Sequence, residues 1–234
     1  MKAKAITTQL RALANTDYAE RAASFFKTGP GEYSEGDVFL GIRNPQLRQL
    51  VRDYRGTPLG ECIKVLQSKY HEERLFALLL MVDLFERGDA SVREVVYQAY
   101  LANTSCINNW DLVDLTAHKI VGSWLVDKKR QPLYTLAASN DLWEQRIAMV
   151  ACYWYIKRDD FKDTLAIAEQ LLNHEHDLIH KAVGWMLREV GKRDQAVEEQ
   201  FLKKHYRQMP RTLLRYAIER FPKPLYRAYL EGRV

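Results

Sequence analysis

The sequence predicts an all-α fold, and three features of its residue pattern support this prediction. Only 11 glycines and 7 prolines occur in 234 residues, and they fall mainly between segments with apolar residues at helical spacing. One such segment places Leu75, Leu78, Leu79, Val82 and Phe85 on a single stripe. Strict apolar–polar alternation, which marks a half-buried strand, is almost absent. We therefore expect about a dozen helices and no strand.

A weak internal repeat indicates how these helices are arranged. A basic residue followed by apolar or small residues recurs at Arg74, Arg146, Lys181 and Arg215, at intervals of 72, 35 and 34 residues. Because the first interval is about twice the others, a further copy is expected near Trp110. A period of about 35 residues is typical of a helix pair in a HEAT-like solenoid. We predict stacked antiparallel helix pairs with a concave basic groove; a compact irregular bundle is the alternative.

Composition is that of an ordinary globular protein, with 47% hydrophobic and 28% charged residues. We expect one domain over residues 1–234, because no change in composition marks a boundary. The sequence has neither a membrane-spanning apolar stretch nor the apolar centre of a signal peptide, so a cytoplasmic location is expected. A monomer is the simpler expectation for the oligomeric state. Three well-separated cysteines, Cys62, Cys106 and Cys152, exclude a disulfide framework and are expected to be buried thiols.

Positive charge is concentrated near the C-terminus. The net charge of the chain is +5, yet residues 181–234 alone contain 13 Lys and Arg against 6 Asp and Glu. A basic region of this kind favours a polyanionic partner, although a solvated charged surface is the alternative.

Two residue pairs are candidates for chemistry. In a helix expected to begin near Asn108, Trp110 and Asp114 lie one turn apart on the same face, which His118 should continue. Asp111 is expected to have a structural role at the start of this helix. The alternative for this pair is purely structural, with the indole covering a neighbouring helix and Asp114 bound to an arginine.

A second predicted helix, over about residues 177–191, has a basic stripe beside its apolar one. The stripe consists of Lys181, Trp185, Arg188 and Lys192. Lys181, Arg146, Arg211 and Arg215 are all expected early in their helices, where a cation opposes the helix dipole. Bound phosphates would compensate all four cations; local carboxylates such as Glu144 and Asp177 are the alternative.

A metal site is a weaker interpretation. His174, Glu175, His176 and His180 have spacings that suit metal ligands, but a loop that enters a helix accommodates the same polar residues. Neither a glycine-rich phosphate loop nor a Ser-His-Asp motif occurs, and no cofactor is expected.

Four segments resemble the AlkD family of DNA alkylation repair glycosylases, a family built from HEAT-like repeats. They are Phe39–Pro45 (FLGIRNP), Asn109–Asp114 (NWDLVD), Leu142–Arg146 (LWEQR) and Lys181–Glu189 (KAVGWMLRE). The resemblance extends over most of the chain, from about Ala19 to Arg220.

The resemblance implies a role for individual residues. Asp114 matches the family's catalytic carboxylate, and Trp110 and Trp185 match two tryptophans that contact the deoxyribose of the damaged nucleotide. Arg146 and Arg188 match ligands of the DNA backbone, to which we add Lys181, Lys192, Arg211 and Arg215 from their position. Arg43 stands where the family prototype has Gln, and Phe25 where it has Tyr, so these two departures bear on substrate range.

The implied activity is metal-free excision of cationic N3- or N7-alkylated purines from double-stranded DNA. The family is known for acting without flipping the base into a pocket, unlike most base-modifying enzymes. Two other classes remain open: a DNA- or RNA-binding protein without catalysis, and a helical scaffold for protein partners.

Overall fold

The computed structural model describes residues 1–234 and confirms the all-helical prediction. Contacts divide the chain into two compact units, Met1–Thr116 and Ala117–Val234, and each is described by itself. The β-type pairing consists of one isolated parallel bridge between Val38 and Tyr70. None of the helices combines the length and the apolar character that crossing a lipid bilayer requires. The expectation of a single domain stays a prediction.

The first unit is arranged around one long helix. Its elements are α1 (Ala3–Ala12), α2 (Thr16–Phe25), α3 (Asn44–Asp53), α4 (Leu59–Leu66), α5 (His71–Arg87), α6 (Ala90–Leu101), a 3₁₀-helix (Thr104–Cys106) and α7 (Trp110–Asp114). Helix α5 packs against α3, α4, α6 and α7. Its apolar stripe is buried as predicted, and even the charged residues of its first turn are removed from solvent.

The second unit is arranged around α12. Its elements are a π-helix (His118–Gly122), α8 (Gln131–Ala137), α9 (Leu142–Ala151), α10 (Tyr153–Ile156), α11 (Lys162–Gln170), α12 (Asp177–Arg193), α13 (Gln195–His205), α14 (Arg211–Ala217), a 3₁₀-helix (Ile218–Arg220) and α15 (Lys223–Leu230). Helix α12 packs against α9, α13 and α14. Val183, Met186, Leu187 and Val190 are buried along it, as their spacing predicts.

The residues that define the sequence repeat occupy similar helical positions. Arg74 is the fourth residue of α5, and Arg146, Lys181 and Arg215 are each the fifth residue of their helices. Trp110 departs from this pattern, because it is the first residue of the short helix α7.

Helices α12 and α14 approach each other closely at Gly184. A Cβ atom at this position would lie 2.5 Å from both the carbonyl oxygen of Leu213 and the Cβ of Tyr216. Only a residue without a side chain permits this approach, because real Cβ contacts are essentially never below about 3.0 Å.

Two of the three cysteines are buried as expected, and the third is not. Cys62 and Cys152 are fully enclosed, and burial raises the pKa of each thiol to about 12. Cys106, in the 3₁₀-helix, is half-buried, so the expectation is wrong for this residue.

We expect Gly184→Ala to destabilise the protein by about 1–3 kcal/mol, because the added methyl group forces α12 and α14 apart. Urea unfolding followed by circular dichroism measures this free energy. Gly60→Ala is the matched control, since a Cβ atom there meets nothing within 4 Å. Equal effects of the two substitutions would contradict the close approach at Gly184.

Candidate functional site

Helix α7 presents Trp110 and Asp114 at its two ends, one turn apart. The Asn109 side chain caps the helix, with its Oδ1 accepting a hydrogen bond of 2.8 Å from the Trp110 backbone N–H. The predicted start at Asn108 is therefore one residue too early. The expectation that His118 continues the same helical face is also wrong, because α7 ends at Asp114 and residues His118–Gly122 form a separate π-helix.

The start of α7 is held by a buried imidazole. His71 is 2% exposed, and its ring lies between two carboxylates, with Nε2 2.9 Å from Asp111 and Nδ1 3.3 Å from Asp37. Burial alone would lower the pKa of His71, but the charge and hydrogen bond of Asp111 outweigh it and raise that pKa to about 9. The structural role expected for Asp111 is confirmed. Its partner His71 was not identified from the sequence.

Asp37 connects this imidazole to further polar groups. Its other oxygen accepts a hydrogen bond of 2.6 Å from Arg74, and Asn109 Nδ2 donates to Ser34 Oγ at 2.7 Å. Burial alone would raise the pKa of Asp37, but the His71 hydrogen bond and the Arg74 charge lower it overall. The residues on both sides of Trp110 are thus tied to α5 and to the loop around Ser34.

Aromatic contacts fix the indole of Trp110. Phe26 stacks on it at 5.1 Å and 25°, Phe25 meets it edge to face at 5.9 Å, and Tyr33 accepts a 3.3 Å hydrogen bond from its Nε1. Phe39 extends the stack on the other side of Phe26. Trp110 remains half-buried, and Phe25 is 66% exposed, so an aromatic edge faces solvent at this site.

Asp114 is half-buried, and its charge acts on the buried hydroxyl of Tyr100. Burial raises the pKa of the Tyr100 hydroxyl, and the negative charge of Asp114 raises it further. This hydroxyl forms a hydrogen bond of 2.9 Å with Thr116 Oγ1. Asp114 is thus a carboxylate on a helix with a fixed indole one turn away, and it is not fully enclosed.

Arg43, the residue that departs from the family prototype, is exposed on the first unit. Its guanidinium lies 3.9 Å above the ring centre of Tyr18, at a pocket that Asn15, Gly41 and Gln46 also line. The Arg43 backbone N–H donates to the Gln46 side chain at 3.2 Å. The guanidinium is therefore placed by an aromatic face, with no carboxylate bound to it.

The predicted basic stripe on α12 exists, but acidic residues accompany it. Lys181 pairs with Asp177 at 2.7 Å, and Arg188 pairs with Glu219. Glu189 receives hydrogen bonds from Lys192 at 2.6 Å and from Trp185 Nε1 at 3.1 Å. For Lys181, the carboxylate alternative that involved Asp177 is the one the structure shows.

The remaining predicted cations differ in accessibility. Arg146 is only 5% exposed and donates to the Leu178 carbonyl at 2.5 Å, so its guanidinium is already used within the second unit. Arg211 is exposed and donates to the Leu230 carbonyl at 2.7 Å, whereas Arg215 is exposed without such a bond. A role of these residues in DNA binding stays a prediction.

The histidines near the start of α12 make local hydrogen bonds. His176 Nδ1 accepts from the Leu178 backbone N–H at 3.1 Å, and His174 Nδ1 accepts from the His176 backbone N–H at 2.9 Å. His180 bonds to the His174 carbonyl oxygen. Nowhere in residues 1–234 do three or more His, Cys, Asp or Glu side chains form a group suited to a metal ion.

Comparison with known proteins identifies a family. The model of a family described as DNA alkylation repair enzyme matches residues 6–221. Among solved structures, the fold is similar to that of a protein described as a predicted DNA alkylation repair enzyme from Enterococcus faecalis. That similarity has a TM-score of 0.69 and 21% identity, and covers 90% of this chain and 97% of the other. No curated protein matches the sequence.

We expect stability to depend on pH through His71. Its pKa is raised on folding from 6.5 to about 9, so its stabilisation is complete below pH 6.5 and is lost as the pH rises through 9. The free energy of unfolding should therefore fall over this interval, and the fall should be smaller in His71→Gln. Identical slopes in the two proteins would show that His71 is not protonated in the fold.

Proposed function

Because the chain belongs to the family of DNA alkylation repair enzymes, we propose that it is a DNA glycosylase that excises cationic N3- and N7-alkylated purines from double-stranded DNA. The observation that carries this proposal is the placement of Asp114, a partly exposed carboxylate one helical turn from the fixed indole of Trp110.

The chemistry of the lesion sets what the site must supply. Alkylation at N3 or N7 leaves a positive charge on the purine, so the base departs as a neutral molecule when its bond to C1′ breaks. The bonding electron pair leaves with the base, and the deoxyribose acquires oxocarbenium character. A water oxygen then bonds to C1′ and releases a proton, which leaves an abasic site. No general acid is required for departure of the base.

In this proposal Asp114 stabilises the sugar cation. A carboxylate held in place before the reaction stabilises developing positive charge without reorganisation, and its oxygens can also orient the attacking water. Trp110 adds the attraction of an aromatic face for a cation, which contributes about 0.5–2 kcal/mol. Both groups suit a reaction centred on the sugar, so the proposal does not require the base to be flipped into a pocket.

The second unit is proposed to contact the DNA strand. Trp185 offers another half-exposed indole, and the cations of the predicted set lie on α9, α12 and α14. Ion pairs such as Lys181–Asp177 are partly exposed and contribute only about 0–1 kcal/mol, so a phosphate can replace the carboxylate. Arg146 is the weakest member of the set, because its guanidinium is buried.

Catalysis can be distinguished from binding alone at Asp114. An acidic side chain repels phosphate, so a protein that only binds DNA or RNA would bind more tightly without this charge. If Asp114 instead stabilises the sugar cation, removing its charge should slow base release and change the affinity for DNA little.

We expect Asp114→Asn to reduce single-turnover release of 7-methylguanine from methylated duplex DNA by about 10²–10³-fold, because an electrostatic stabiliser of the transition state is lost. Duplex affinity should change little. Asp53→Asn is the charge-matched control, since Asp53 is exposed on α3. Release by Asp114→Asn at the wild-type rate, or no release by the wild-type protein from either 3-methyladenine or 7-methylguanine substrates, would refute the proposal.

We expect Trp110→Leu to slow base release by about 2–30-fold, which corresponds to the loss of one cation–π contact of 0.5–2 kcal/mol. Trp110→Phe retains an aromatic face and should lie between the leucine variant and the wild type. The single-turnover rate measures this effect. Equal rates for the leucine and phenylalanine variants would argue against a role for the aromatic face.

A further inference from the structure

Three aromatic side chains of the second unit each carry a cation on the ring face. The distances from cation to ring centre are 3.7, 4.5 and 4.1 Å, for the pairs Lys128/Trp124, Lys157/Tyr153 and Arg158/Trp154. Each cation is four residues after its aromatic partner and lies beyond the end of the helical segment that carries the ring. The cations are exposed and the rings are half-buried.

Two of the pairs begin on α10, and the third, Trp124/Lys128, begins two residues after the π-helix on which α10 packs. Helix α10 packs along the π-helix, and Gly122 makes this possible, because a Cβ atom there would lie 2.9 Å from the Cβ of Trp154. Farther along the same contact, the His118 ring meets Tyr153 edge to face at 5.4 Å. The three pairs are therefore parts of one region of the second unit.

No carboxylate neutralises these cations. Lys128, Lys157 and Arg158 form no ion pair, although acidic residues follow shortly after them in the sequence. Those acids are bound elsewhere: Asp159 pairs with Arg193 at 2.7 Å, and Asp160 pairs with Arg130 at 2.7 Å.

The basic stripe of α12 is different, since Lys181, Arg188 and Lys192 all have acidic partners. Arg130 shows that ring stacking does not by itself leave a cation unneutralised. It lies 3.8 Å above the Tyr155 ring and still pairs with Asp160 and Asp163. The cations of the three cation–ring pairs therefore carry positive charge that no carboxylate neutralises.

The region is continuous with the proposed DNA-contacting indole. The Tyr153 ring lies 5.9 Å from the Trp185 ring at an angle of 38°. Tyr153 therefore contacts the rings of His118 and Trp185 and has the ammonium group of Lys157 over its face.

We propose that the three cation–ring pairs form a binding surface for the sugar-phosphate backbone of double-stranded DNA, extending the surface that begins at Trp185. This inference rests on the proposed function in taking DNA as the partner. A phosphate can bind Lys128, Lys157 or Arg158 without displacing a carboxylate, so these contacts release counterions at little cost. Contacts of this kind position a protein on DNA without reading its sequence.

The test is binding of undamaged duplex DNA by a triple variant, Lys128→Gln, Lys157→Gln and Arg158→Gln, measured by fluorescence anisotropy between 50 and 200 mM salt. Each lost phosphate contact should reduce the slope of log affinity against log salt by about 0.9, so the total reduction should be about 2–3. The single variant Lys157→Gln should reduce the slope by about 0.9, and it replaces the triple variant in this test if the triple variant does not fold.

A second triple variant, Lys162→Gln, Lys223→Gln and Arg227→Gln, is the control for net charge. It removes three exposed cations of the same unit that form no ion pair, and its slope should stay close to the wild-type value. Equal slopes for the wild type and the first variant, equal losses in both variants, or absence of DNA binding by the wild type would overturn the inference.

Because the DNA in this test is undamaged, its outcome is independent of excision. A reduced slope in a protein that releases no base would refute the proposed glycosylase while retaining the surface. Base release that depends on Asp114, together with an unchanged slope, would refute only the surface.

Discussion

The first unit depends on the buried polar contacts made by the first turn of α5. His71, Glu72, Glu73 and Arg74 follow one another in sequence, and all four side chains are nearly or completely buried. A buried charged group is costly unless it is paired, and here each of the four has a partner. Glu72 accepts backbone N–H groups of Leu40, Gly41 and Ile42 at 2.7–3.2 Å, and Glu73 accepts Arg11 at 2.7 Å.

This polar turn explains how a helix as short as α7 can hold Trp110 and Asp114 in place. Five residues cannot maintain a helix in water by backbone hydrogen bonding alone. The orientation of α7 therefore comes from its surroundings: His71 binds Asp111, Asn109 caps the first turn, and Phe26 stacks on Trp110. The role proposed for Asp114 requires a carboxylate that is held before the reaction, and these contacts hold the helix that carries it.

The features that could be predicted from the sequence are those encoded by local spacing. The all-helical fold and the α12 stripe that contains Trp185 follow from apolar periodicity. The pair Trp110 and Asp114 was found because the two residues are four apart and belong to a motif. His71 was not found, because its partners Asp37 and Asp111 are 34 and 40 residues away and no local pattern connects them. The burial of Arg146 could not be predicted either, because its hydrogen bond to the Leu178 carbonyl joins two helices that are far apart in the sequence.

The burial of the Cys62 and Cys152 thiols bears on how the protein reacts with alkylating reagents, whose damage to DNA its family repairs. Only the thiolate form attacks electrophiles readily, and a pKa of about 12 leaves a negligible thiolate fraction near neutral pH. The same reagents that damage nucleobases therefore meet neither a charged sulfur nor an open path to these two positions.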